Sequence, residues 1–383
     1  MENLVYLLLI ILSLEAILFV TIKIFKKNFK WLINSEDEFP KFSKKKLKNF
    51  YTNSYDSLLG WDRKKNSSGY ELGEKKTFFK IAKQGYRGKP KFKKKGISVF
   101  GDSFAFCRYV NDNQTWENHL EEKLKINVQN YGVGNYGLDQ SYLKFLRYKK
   151  KIKNNIIIFN VVPETIARIN SYWKHYREFG NIFGFKPFYE FKNNKIKLKK
   201  IFLKKNFTEK QIHKNLPKIK KIDIFYRKKF NKNKFQFPYI LTMLKNFNLY
   251  SNILINLTLA KITGNKNFFN SAVSIIYDDI FCQNKLKSLI HYLNEDLKKN
   301  NFTMILLISP QLLDFTEGDY KSVLKFYEKI GKEIFCIDLY KDIKNKKLDK
   351  YYFQDLYGGH LNQLGNKFVS KVLFKYIKSK KIL

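Results

Sequence analysis

The run Ile97-Ser98-Val99-Phe100-Gly101-Asp102-Ser103-Phe104 is a β-type segment that closes on a glycine, an acid and a serine. It carries no charge before Asp102, as a strand buried on both faces requires. Gly101 admits backbone conformations closed to other residues, which predicts a tight turn. In α/β sheets chemistry gathers at the carboxyl ends of strands, and the turn puts Ser103 there. A Gly-Asp-Ser triplet is short and frequent by chance. Alone, it also reads as an ordinary strand-to-loop turn.

The segments on either side repeat one rhythm. Residues 115–124 predict a helix, with Trp116, Leu120 and Leu124 on one face. Residues 126–131 alternate like a strand and run into Gly132-Val133-Gly134-Asn135-Tyr136-Gly137, a loop whose backbone approaches something closely. Residues 142–153 predict a basic amphipathic helix, and 156–162 a fully buried strand broken by Pro163-Glu164. Helices over 284–298, 321–330 and 364–377 and strands over 302–308 and 334–339 continue the series. Strand, helix, strand in this order is the pattern of a parallel sheet with crossover helices.

Two regions depart from that rhythm. Residues 31–95 hold little periodicity. Their fragments Leu59-Gly60-Trp61 and Gly85-Tyr86-Arg87-Gly88 read as turns in a leader that packs across one edge of the main domain, with Arg87 an alternative ligand for an anionic group. Residues 175–250 are rich in Lys, Asn and Phe and read as an insertion: a lid, a membrane-facing patch or filler. The expected organisation is a membrane anchor over 1–30, the leader over 31–95, and one domain over 96–383 with that insertion.

The anchor is the apolar run 4–25, long enough to cross a bilayer as a helix and followed by no small-residue cleavage pattern. Glu15 is costly in its middle and needs a partner. Lys23 near the end of the run and Lys26, Lys27 and Lys30 after it are basic, but lysine is dense throughout, so the side on which the body lies stays open. The formal net charge of the 383 residues is +41. Lysine is spread along the whole chain with Asn, Ile, Phe and Tyr, the usage of a coding sequence poor in G and C, and no nucleic-acid-binding signature accompanies it. No nucleic-acid partner is expected. Cys107, Cys282 and Cys336 have neither metal nor disulfide spacing. Cys107, four residues after Ser103, reads as a small buried residue. No metal or cofactor is expected.

Together the motifs resemble the SGNH (GDSL-type) hydrolases. Gly101-Asp102-Ser103 is similar to their first block, Asn130 to Gly137 to their second, and His360-Leu361-Asn362 with Gly365 to their last. The resemblance covers about 97–170 and 270–383. It implies a three-layer α/β/α, flavodoxin-like parallel sheet and a serine esterase or O-acyltransferase acting on an acylated glycan or lipid. Ser103 would be the nucleophile and His360 the base. A weakened SGNH-fold protein that binds or scaffolds surface polysaccharide is the alternative.

Three positions depart from the family pattern. Asn135 stands where block II has a glycine, and asparagine tolerates the left-handed conformation that such a backbone donor needs. Glu164 stands where block III has an oxyanion asparagine; a carboxylate cannot donate, so only its protonated form would help. The family's acid lies two or three residues before the histidine, where this chain has Gly358 and Tyr357. Asp355, five before, is the nearest carboxylate; a loop brings it round, or the site is a dyad without an acid.

Overall fold

The computed structural model describes residues 2–24, 39, 41–178, 180–192, 195–201, 203, 205–228, 237–245, 247–248, 250–251, 255, 258, 262, 277–316, 320–355 and 358–383. Lys26, Lys27 and Lys30, the leader's start over 31–38, most of 249–262, Lys204, Lys229 and Tyr357 lie outside them.

Five parallel strands form the sheet: β1 Ile97–Gly101, β2 Val128–Asn130, β3 Ile156–Val161, β4 Thr303–Ile308 and β5 Phe335–Asp338. Their spatial order is β5-β4-β3-β1-β2, the flavodoxin-like order whose switch point lies between β1 and β3. Nine helices are used below. They are α1 Glu2–Ile24, α2 Ser103–Phe106, α3 Trp116–Leu124, α4 Leu138–Tyr148, α5 Thr165–Asn170, α6 Tyr239–Lys245, α7 Ile280–Lys299, α8 Lys321–Gly331 and α9 Gln363–Ser379.

Successive strand residues point to opposite faces, and both faces are apolar. Phe100, Phe159 and Leu306 meet Phe145 of α4, Leu289 of α7 and Phe326 of α8. Val99, Ile158 and Ile305 meet Trp116 and Leu120 of α3 and Val369 and Leu373 of α9. This is the three-layer α/β/α arrangement, and it explains why the strands read as unbroken apolar runs.

Gly101 is required for closeness, not for an unusual dihedral. A Cβ there would lie 2.1 Å from the Asn160 carbonyl oxygen, because Gly101 pairs with Asn160 across the switch point. The helix expected over 142–153 begins earlier, at Leu138, and ends at Tyr148.

The leader covers the open β2 edge. Ser67–Leu72 and Lys76–Ile81 form a hairpin, and beyond it the Arg87 backbone N–H donates to the Asn130 carbonyl at 2.7 Å, sheltering an edge otherwise open to pairing. The Arg87 side chain is buried. It pairs with Asp112 at 2.7 Å and donates to the carbonyls of Phe106, Cys107 and Val110. It thus secures the loop after Ser103 rather than facing a ligand.

The insertion is not filler. It contains a hairpin, Phe188–Lys192 with Lys195–Lys199, and the helix Glu209–Ile222, and it buries Phe207, Ile212, Ile219 and Phe225 in the core that includes α4.

Candidate active site

Ser103 is the first residue of α2, directly after the carboxyl end of β1. Asp102 caps that helix, its Oδ1 accepting from the Phe104 N–H at 2.8 Å. Its Oδ2 accepts from the Val162 N–H at 3.1 Å and from Arg168 Nη1 at 2.9 Å. Asp102 therefore ties the ends of β1 and β3 to α5. Burial raises its carboxyl above the ordinary value; the Arg168 charge and the two backbone donors oppose that shift.

His360 arrives from the far end of the chain. Gly358 and Gly359, at φ +89° and +81°, fold the segment back on itself in a conformation side chains resist. The Phe353 N–H on the His360 carbonyl at 2.7 Å fixes the return. His360 Nε2 lies 2.8 Å from Ser103 Oγ, and Nδ1 lies 2.7 Å from Asp355 Oδ2. The same Asp355 oxygen accepts the His360 backbone N–H at 2.9 Å. Phe104 stacks on the imidazole at 5.0 Å between ring centres, and Tyr109 meets it edge-on at 5.5 Å. Both Ser103 and His360 are buried, at the wall of a cleft of about 820 Å³.

Asn135 and Glu164 line the same cleft. Asn135 has φ +66°. Its loop rests on the nucleophile's strand through Val133 N–H on the Gly101 carbonyl at 3.0 Å, and on the leader through Trp61 Nε1 on the Gly134 carbonyl at 3.0 Å. Among the described residues, nothing accepts from the backbone N–H of Gly134 or Asn135. The Ser103 N–H is likewise one that its helix leaves over.

Glu164 is not a protonated donor. Arg168 grips it through Nη2 at 2.7 Å and Nε at 2.9 Å, and Arg177 through Nη1 at 3.2 Å. Burial pushes the carboxyl up, but the two guanidinium charges outweigh it and hold Glu164 below its ordinary value. It is ionised and belongs to a charge cluster with Arg168, Arg177 and Asp102. Arg177 Nη2 also donates to Asn135 Oδ1 at 2.6 Å, so the insertion anchors the loop that carries Asn135.

Arg168, Arg177 and the leader's Asp62, Arg63 and Glu71, which line the cleft, carry no sequence motif of their own, and Trp61, read as part of a leader turn, lines it too. The four-residue spacing from Glu164 is the one visible signal for Arg168. Cys107 is buried, its thiol facing Glu117 Oε2 at 3.0 Å and pushed well above its ordinary value by burial. A thiol so placed is a poor nucleophile.

No protein-family model and no curated protein matches this chain. Among solved structures it is similar to one described as a lipolytic protein of the G-D-S-L family from Desulfitobacterium hafniense DCB-2. The identity is 12% and the TM-score 0.34, over 73% of this chain and 98% of that one.

Proposed function

We propose that this chain is a membrane-anchored, SGNH-type serine esterase or O-acyltransferase acting on an acylated glycan or lipid. The observation that carries the reading is the contact sequence Ser103 Oγ to His360 Nε2 to Asp355 Oδ2, at 2.8 and 2.7 Å. A serine hydroxyl that donates to Nε2 leaves the ring proton on Nδ1, where the Asp355 carboxylate accepts it.

In the first half-reaction Ser103 Oγ attacks the ester carbonyl while Nε2 takes its proton. The tetrahedral oxyanion accepts from the backbone N–H of Ser103 and from those of Gly134 and Asn135. Collapse breaks the bond to the leaving alcohol, which receives the proton from Nε2 and departs, leaving an acyl-Ser103 ester. In the second half, water or an acceptor hydroxyl gives its proton to Nε2 and attacks the acyl carbon; collapse breaks the bond to Ser103 Oγ, which takes the proton back from Nε2. Glu164, ionised, donates nothing; it holds Arg168 and Arg177 in place. The cleft walls are polar and charged around Trp61, which supports a saccharide-bearing ester over a long-chain lipid. The helix α1, of mean hydropathy 2.6 over its most apolar stretch, supports the anchor.

A fluorophosphonate probe on the full chain in detergent tests the reading. Labelling should occur on Ser103 and vanish in both Ser103→Ala and His360→Ala. A folded wild-type protein that takes no label, or an His360→Ala variant labelled at the wild-type rate, refutes it and leaves the polysaccharide-binding alternative.

A further inference from the structure

A small group of exposed large apolar side chains, Tyr70, Leu72 and Phe78, lies on the leader hairpin; most others among the described residues gather in one place. They lie along α1 from Leu4 to Ile24, and at Phe237, Leu241, Leu244 and Phe247 in and beside α6. Leu241 and Leu244 are three residues apart and lie on one side of α6, and Phe237 stands just before its first turn. The two helices touch. Glu15 Oε2 accepts from the Ile240 N–H at 2.8 Å, and Oε1 from the Tyr239 N–H. The rings of Phe19 and Phe237 meet edge-to-face at 6.0 Å. The buried residues of α1 are Glu15 and Ile22, seven apart on the seam facing the rest of the chain. At 1.5 Å per residue Glu15 lies about 20 Å from the start of α1, well inside a bilayer core ~30 Å thick.

A lone helix with a carboxyl group at that depth is a costly anchor, because hydrocarbon supplies no partner for it. The first N–H groups of a second helix there have the complementary defect: in lipid every backbone polar group must be satisfied from within the protein. Here each supplies what the other lacks. We propose that α6 lies in the bilayer against α1, with Leu241 and Leu244 on its exposed side and the adjoining Phe237 facing lipid acyl chains, and with Glu15 accepting the N–H groups of Tyr239 and Ile240. The insertion thereby reaches back into the membrane, and the body is held at two points. The inference rests on α1 spanning the bilayer and is independent of the chemistry at Ser103. A patch of this size on a soluble face would instead be a protein-docking surface. Its continuity with the apolar surface of α1 selects lipid.

The test uses the full chain in phosphatidylcholine–phosphatidylglycerol liposomes containing a phospholipid with a diazirine at mid-acyl depth. After irradiation and digestion, adducts are mapped by mass spectrometry. Adducts are expected on residues 237–245 at a yield comparable to that on α1. In Glu15→Leu, which keeps α1 apolar, the yield on 237–245 should fall by more than about tenfold while that on α1 holds, because two N–H groups lose their acceptor in hydrocarbon. Adducts on α1 with none on 237–245 overturn the proposal, as do protein–protein crosslinks through 237–245 in place of lipid adducts. Absence of adducts on both helices overturns the anchor and this inference together. An unchanged yield in Glu15→Leu overturns the role of Glu15.

Discussion

Replacing Asp355 by asparagine separates two things its carboxylate does for His360. One oxygen, Oδ2, receives both the His360 backbone N–H at 2.9 Å and the ring Nδ1 at 2.7 Å. An amide must turn either its oxygen or its NH₂ toward that pair. The backbone N–H can only donate, so it selects the oxygen. Nδ1 then keeps its proton, and Nε2 remains an acceptor for Ser103. What disappears is the charge that steadies the imidazolium. A charge-assisted hydrogen bond is roughly twice as strong as a neutral one, a difference of about 1–1.5 kcal/mol. The expected loss in kcat/KM is therefore about tenfold. Where an asparagine turns the wrong way and forces the other tautomer, the loss is about 10⁴. Asp355→Ala removes the acceptor altogether and should cost about 10³-fold or more. The measurement is the second-order rate of Ser103 labelling by a fluorophosphonate, read beside turnover of p-nitrophenyl acetate. An asparagine variant as impaired as the alanine variant refutes the orientation argument. An alanine variant at the wild-type rate means the site works as a serine–histidine dyad.

Other consequences follow from groups around the site. Burial pushes Glu117 up from 4.5 to about 8, so the folded chain keeps a proton that the unfolded chain has released across that window. The stability this group contributes is whole below pH 4.5 and lost as pH rises to 8. Against Glu117→Gln the wild type should lose about 3–5 kcal/mol over that range in chemical denaturation, and a slope that persists in the variant assigns the titration elsewhere. Arg87→Met removes the ion pair to Asp112 and the donor to three carbonyls behind Ser103, and should destabilise by about 3–5 kcal/mol in thermal or denaturant melts; a change under about 1 kcal/mol would mean the loop holds itself. Asn135→Gly loses the bond from Arg177 but keeps the left-handed backbone, and should retain more activity than Asn135→Val, which loses both. Asn135→Val should lower kcat with KM nearly unchanged, since strain of ~1–2 kcal/mol falls on a loop that meets the oxyanion; a pure KM effect would remove the loop's N–H groups from the mechanism.

The sheet was legible because its strands are buried on both faces. Unbroken runs such as Ile156-Ile157-Ile158-Phe159 admit few other readings, and the helices on the α3–α9 side kept a plain apolar stripe. Legibility failed on the other side. The leader and insertion cover α4 so fully that its polar residues are inside. Lys144 is buried against Asp62 at 2.7 Å, Asp139 pairs with buried Lys186, and Gln140 donates to the Leu59 carbonyl at 2.8 Å. Periodicity assigns such residues to solvent, which is why it places the start of α4 four residues late, at 142 rather than Leu138. In a chain where lysine is everywhere, a buried lysine has no local signature; only its partner, far off in sequence, reveals it.

The candidate site divides along the same line. Ser103 and His360 were legible because each sits at a fixed place on an element that patterning could find, the end of β1 and the approach to α9. Asp355 was ambiguous because its distance to His360 along the chain is not its distance in space. Two glycines at positive φ turn a five-residue separation into a 2.7 Å contact, and a spacing rule has no term for that fold-back. Arg168 and Arg177 were invisible for a different reason. Their meaning lies in what they neutralise: Asp102, 66 residues before Arg168, and Glu164, which spacing alone makes an intruder at a donor's position. With the two arginines in place, a carboxylate at that position need not face the oxyanion. Its charge holds Arg168 against the Asp102 cap and Arg177 against the Asn135 loop, so Glu164 and Asn135 belong to one cluster of ion pairs and hydrogen bonds.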